Sequence, residues 1–72
     1  VTRGDFVLVT YAGDTLPAQV LLVSANGRSL MLSFGGMLGG YIGSMPVLQD
    51  DAGEYRDLIA GEPVFIQPIP HP

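Results

Sequence analysis

Period-2 alternation and β-branched residues dominate the chain, and no window carries an apolar stripe at helical spacing. Arg3-Gly4-Asp5 leads into Phe6–Tyr11, FVLVTY, which reads as a first strand. Ala12 to Leu16, with Gly13-Asp14 inside it, reads as a connecting loop. Pro17 then opens a second run, Ala18–Ser24, because the first residue of a strand tolerates a missing N–H. Asn26-Gly27 is the strongest short hairpin signal in the sequence, since a type I′ turn needs positive φ at both central residues. Ser29–Phe34 is the third strand. Beyond the glycine-rich stretch Ser33–Pro46, Pro46–Gln49 and Glu54–Ile59 form a second hairpin around Asp50-Asp51-Ala52-Gly53. That spacing fits a type I turn with its glycine last. Ala60–Pro63 turns the chain again, and Val64–Gln67 is the last strand. Pro68, Pro70 and Pro72 make residues 68–72 a stiff, extended tail, leaving residues 1–67 as the domain.

Five or six short strands divided by turn signals predict a small all-β barrel or sandwich. With 72 residues, two full sheets are hard to build, so the expectation is a partly open barrel of antiparallel strands. The series Gly4-Asp5-x-Val7-x-Val9-x-Tyr11, Gly13-Asp14 and Ala18-x-Val20 resembles the opening of small SH3-like barrels, in particular Tudor and KOW-type modules. The resemblance ends at Val20. It implies an SH3-like barrel with Ala18 and Val20 facing inward. Leu16 and Pro17 stand where Tudor domains usually carry an aromatic, and the glycine-rich stretch matches no motif of the family. The resemblance therefore bears on architecture and transfers no function.

A register fixed by Asn26-Gly27 sets Leu21 opposite Leu32, Val23 opposite Leu30 and Gln19 opposite Phe34. On the other face Leu22 meets Met31, Val20 meets Ser33 and Ser24 meets Ser29. The first set would make a core, whereas the Tudor-like alignment puts Ala18 and Val20 inside, and both assignments stay open. Either one leaves a second apolar face. In the first strand, Val7, Val9 and Tyr11 cannot share a side with Phe6 and Leu8. A barrel with a solvated exterior should alternate apolar and polar residues. Covering three or four large side chains on the second face would contribute roughly 5–8 kcal/mol, at about 1.5–3 each. That rivals the whole stability of a small domain, and small cores often need oligomerisation. A homo-oligomer is therefore expected. The candidate interface is Phe6, Leu8, Val20, Leu22 and Met31 on the strands, with Met37, Leu38, Tyr41 and Ile42 of the glycine-rich loop; the alternatives are strands that curl enough to use both faces internally, and then another protein partner.

Composition narrows the chemistry. There is no cysteine, so neither a disulfide framework nor a thiolate metal site exists. Only 14% of residues are charged, lysine is missing, and Arg3, Arg28 and Arg56 are spread along a chain of net charge −4. Duplex nucleic acid needs clustered cations, so that partner is disfavoured. No apolar run reaches the ~18 residues of a membrane helix, no signal peptide is visible, and the cytoplasm is the default compartment. The lysine-free, Ala/Gly/Val-rich composition hints at a GC-rich bacterial gene.

A P-loop requires a lysine, and Gly35-Gly36 with Gly39-Gly40 never forms Gly-x-Gly, so the glycines are expected to serve turns, bulges and close backbone approach, beside an apolar loop surface. The acidic series Asp50, Asp51, Glu54 and Asp57 lacks the spacing of a calcium loop. The sole histidine, His71, lies in the tail, leaving no scaffolded base for a nucleophile. No catalytic, cofactor or metal residue is assigned. Tyr11, Tyr41 and Tyr55 with Asp14 are the candidates for an aromatic cage, although Leu48 set opposite Tyr55 points to core packing. The functional expectation is a non-catalytic assembly or protein-binding module. The alternatives are a binder of a small molecule or modified peptide at an inter-subunit or aromatic site, and an oligomeric enzyme with a shared site.

Overall fold

The computed structural model describes residues 2–69. Within them the chain forms β1 (Phe6–Tyr11), β2 (Asp14–Val23), β3 (Ser29–Leu38), β4 (Tyr41–Gln49), β5 (Tyr55–Asp57) and β6 (Pro63–Pro68). Every pairing is antiparallel, and all join neighbours in sequence except that of β1 with β6, which closes the barrel rather than leaving it partly open. Among the described residues no helix is long and apolar enough to cross a membrane. Pro68, expected to begin the tail, is still in the sheet opposite Val7. The rest of that proline-rich segment from Pro70 on, with His71, lies outside the described residues.

The core follows from alternation. Val7, Val9 and Tyr11 of β1 face inward with Ala18 and Val20 of β2, Leu30, Leu32, Phe34 and Leu38 of β3, Met45 and Val47 of β4, and Val64 of β6. The open question of the β2 face is resolved by a bulge. Val20 pairs with Leu32 and Leu22 with Met31, which leaves Leu21 as an extra residue between them. The expected pairs Leu22–Met31 and Val23–Leu30 form, whereas Leu21–Leu32 and Gln19–Phe34 do not, and Gln19 meets Ser33 instead. A strand of strict period 2 cannot turn both Val20 and Val23 toward the core; one inserted residue lets it bury Val20 and pack Val23 against the core edge, while Leu21 and Leu22 turn outward.

The turns also differ from expectation. Tyr11 pairs directly with Asp14, so β2 starts earlier than Pro17 and the connection is the two-residue turn Ala12-Gly13, with φ of 53° and 84°. That is the type I′ pattern. At Asn26-Gly27 only Gly27 has positive φ, and its N–H donates to the Ser24 carbonyl at 2.9 Å, making a type I turn. The Asp50–Gly53 turn is built the same way, with Gly53 N–H donating to Asp50 O at 3.0 Å. Its register sets Leu48 opposite Arg56 and Gln49 opposite Tyr55, so Leu48 is exposed and not a core partner of Tyr55.

The glycine-rich stretch proves to be one long, bent hairpin. Phe34, Gly35 and Gly36 oppose the single residue Gly43, with φ of 123° at Gly36 and 77° at Gly43. Gly39-Gly40 then closes the tip between the paired Leu38 and Tyr41. Gly39 has φ 59°, and a Cβ there would sit 2.5 Å from the Tyr11 ring.

Candidate interaction surface

Leu22 on β2, Met31 on β3 and Pro46 on β4 are successive cross-strand partners and form a row on the outside of the barrel. Together with Val23, Ser29, Val47 and Leu58 they line an open apolar groove that contains no charged residue. Leu22 is 58% exposed and Leu58 56%. The bulge turns Leu21 out beside Leu22, and Leu48 continues the outer face of β4 past Pro46, both also exposed. The row arises directly from the β2 bulge, which puts Val20 in the core, packs Val23 against its edge and leaves two leucines outside.

Leu58 owes its place to a buried carboxylate. β5 ends at Asp57, which is 3% exposed, and the chain turns over residues 58–60. Asp57 Oδ2 accepts from the Ala60 N–H at 2.8 Å and the Tyr41 hydroxyl at 2.7 Å, while Oδ1 accepts from the Glu62 N–H at 2.7 Å. The main chain of Asp57 adds two bonds, accepting from Gly61 N–H and donating to Glu62 O, each 3.1 Å. Burial opposes ionisation of this carboxyl, but the Ala60 N–H, the Tyr41 hydroxyl, the Glu62 N–H and the Tyr11 hydroxyl outweigh it and lower its pKa to about 2. The same burial, together with the adjacent negative charge, pushes both tyrosine hydroxyls up from their ordinary value. This clasp holds a turn on which Leu58 and Ile59, the latter 83% exposed, face solvent.

The nine candidate interface residues do not form one surface. Val20 and Leu38 are fully buried and belong to the core of the single chain, so they are withdrawn from the outer face: the bulge turns Val20 inward, and β3 runs on through the glycines so that Leu38 keeps the inward phase of Leu30, Leu32 and Phe34. Leu22 and Met31 meet as partners in the groove. Met37 and Ile42 meet as a second exposed pair near the hairpin tip. Phe6 and Leu8 lie on the outside of β1, opposite Gln19 and Pro17, with Phe6 exposed and Leu8 half-buried. Tyr41 is half-buried, packed edge-on to Tyr11 with ring centroids 6.0 Å apart, and its hydroxyl is committed to Asp57. Two of the three cage tyrosines thus converge, but on Asp57 rather than Asp14, and Tyr11 is closed into the core. Sequence reasoning missed Pro46 and Leu58 in the groove. The signal for Leu58 was the Asp57-to-Gly61 spacing, an aspartate that can cap a single turn followed by a glycine that can end it.

Asp50, Arg28 and Arg56 fix loop geometry. Asp50 accepts from the Glu54 N–H at 2.9 Å, from Arg56 Nε at 3.0 Å and from the Ala52 N–H at 3.0 Å, which holds its carboxyl below the ordinary range. Arg28 reaches the Gln49 carbonyl at 2.8 Å and Asp51 at 3.3 Å. Among the described residues no three acidic or histidine side chains are grouped to hold a metal ion. Comparison with protein families, characterised proteins and solved structures gives no match for this chain.

Proposed function

We propose that this chain is a non-catalytic assembly module, an SH3-like small barrel that associates with itself through its outer apolar strand face. The observation that carries the reading is the uncharged row Leu22–Met31–Pro46, extended by Leu58, on the outside of a barrel whose core is already filled. The inward placement of Ala18 and Val20 supports the SH3-like affiliation. The exposed parts of Leu21, Leu22, Leu48 and Leu58 amount to about two whole side chains per copy, or roughly 3–6 kcal/mol if covered. Counted on both copies, that is comparable to the estimated 4–15 kcal/mol cost of association, so a reversible complex is the expected strength.

Light scattering across a concentration series tests it. The native chain should pass from monomer to a defined oligomer, and Leu22→Glu should shift that transition to at least ~100-fold higher concentration, because each contact would bury an unpaired carboxylate. A monomer at every concentration overturns the reading. So does an unchanged transition in a folded Leu22→Glu chain.

A further inference from the structure

Resting on that self-association reading, we infer that the partner seated on the Leu22–Met31–Pro46–Leu58 groove is the same groove of a second copy, in a two-fold arrangement. Besides the exposed Phe6, Ile59 and Phe65, two features whose apolar residues meet across strands compete for the contact. The hairpin tip offers Met37 and Ile42, 61% and 78% exposed, whereas the groove side offers four partly exposed leucines around Met31 and Pro46. Leu22 and Leu58 in the groove, with Leu21 and Leu48 flanking it, add up to about two whole side chains per copy, so a two-fold contact that reaches the flanks covers about four, enough for the apolar centre of a small interface once a polar rim surrounds it. A tip-into-groove contact would leave one tip and one groove bare in a dimer, or run head to tail into a ring or an open chain of copies.

Charge permits this contact without separating it from the hairpin tip, since Ser33–Pro46 also holds no charged residue. Each copy carries net charge −4, so two copies repel unless they meet where charge is absent, and no charged residue lines the groove. The groove is also pre-shaped, because the Asp57 clasp fixes the turn bearing Leu58 and little ordering remains to be done on contact.

The absence of cysteine makes single-cysteine variants clean reporters. Leu58→Cys and Ile42→Cys, both at exposed positions, are treated separately with a short bis-maleimide cross-linker, after light scattering has established the mass of each. Leu58→Cys should give a covalent dimer and Ile42→Cys should not. In parallel, Leu58→Ser should weaken the dimer at least ~10-fold, and Ile42→Ser by less than ~2-fold. If an oligomer forms but cross-links through Ile42→Cys, or only when the two variants are mixed, the groove-to-groove arrangement is wrong and self-association stands. If both variants and the native chain are monomeric, the arrangement and the self-association reading fall together.

Discussion

The tyrosine end of the barrel and the outer leucine row place polarity in opposite ways. At the tyrosine end, the Asp57 carboxylate lies 3% exposed beside two aromatic rings, yet its acceptors are met within the chain by Tyr41, Ala60 and Glu62. On the outer row, Leu22 and Leu58 stand more than half exposed, and nothing among the described residues covers them. The difference lies in where relief can come from. The Ala60 and Glu62 donors to Asp57 come from the five residues that follow it, so a local turn supplies much of what a buried charge needs. The outer row is drawn from three strands whose inward neighbours already fill the core, so only surface from outside can relieve it.

Removing the carboxylate is the most severe way to break this contrast. Asp57→Ala leaves the Tyr41 hydroxyl and the Ala60 and Glu62 N–H groups without an acceptor, at about 1–3 kcal/mol for each that stays dry. A loss of about 3–5 kcal/mol of unfolding free energy is expected, measured by urea denaturation at a concentration where the chain is monomeric. A loss below about 1 kcal/mol would show that water substitutes for the carboxylate and that the clasp is not what makes this end rigid.

Gly39→Ala attacks the same end from the hairpin tip. The new Cβ would meet the Tyr11 ring at 2.5 Å and would force an L residue to φ 59°. The left-handed backbone costs about 1–2 kcal/mol and the overlap about 1 more, so a loss of about 2–3 kcal/mol is expected from thermal or urea unfolding. Acid gives a smaller effect with a fixed sign. The Asp57 carboxyl titrates at about 2 when folded against its ordinary 3.8, so above pH ~4 both folded and unfolded chains are ionised and the benefit is complete. As pH falls from about 4 to 2 the unfolded chain takes up the proton first, and on the order of 2 kcal/mol of stability is lost. In Asp57→Asn this part of the slope should vanish; a slope equal to the native one would assign the acid sensitivity to Asp50 instead.

Local signals in the sequence reached part of this structure. β1, the Asp50–Gly53 turn and the pairs Leu22–Met31 and Val23–Leu30 follow from alternation and turn residues alone. The bulges at Leu21 and at Gly35-Gly36 do not, because they are demanded by closing the barrel, a condition set by distant strands. The glycines of Ser33–Pro46 read as a break between strands, while in the fold they permit the backbone of a continuous hairpin to bend. Half of the groove was legible in Leu22 and Met31. Val20 was set on that face because a strict period-2 register carries no bulge. Leu58 was missed because Glu54–Ile59 reads as an uninterrupted strand, and the Asp57 clasp that stops it depends on Tyr41 from another hairpin.

The turn beside Tyr11 offers the mildest change, and it runs in the stabilising direction. The chain's one Asn-Gly pair sits in a turn where only the glycine is left-handed, whereas the turn that requires both residues left-handed is Ala12-Gly13. Alanine at φ 53° has no side-chain group to compensate the steric cost, and asparagine tolerates that region better. Because Ala12 is exposed, Ala12→Asn should raise stability by about 0.5–1 kcal/mol, read as a higher urea midpoint with unchanged slope. The gain should be additive with substitutions on the outer row and should leave the oligomer transition where it was, since the turn lies apart from the groove lining. A shift in that transition would tie the tyrosine end to the interface and collapse the distinction between the two regions.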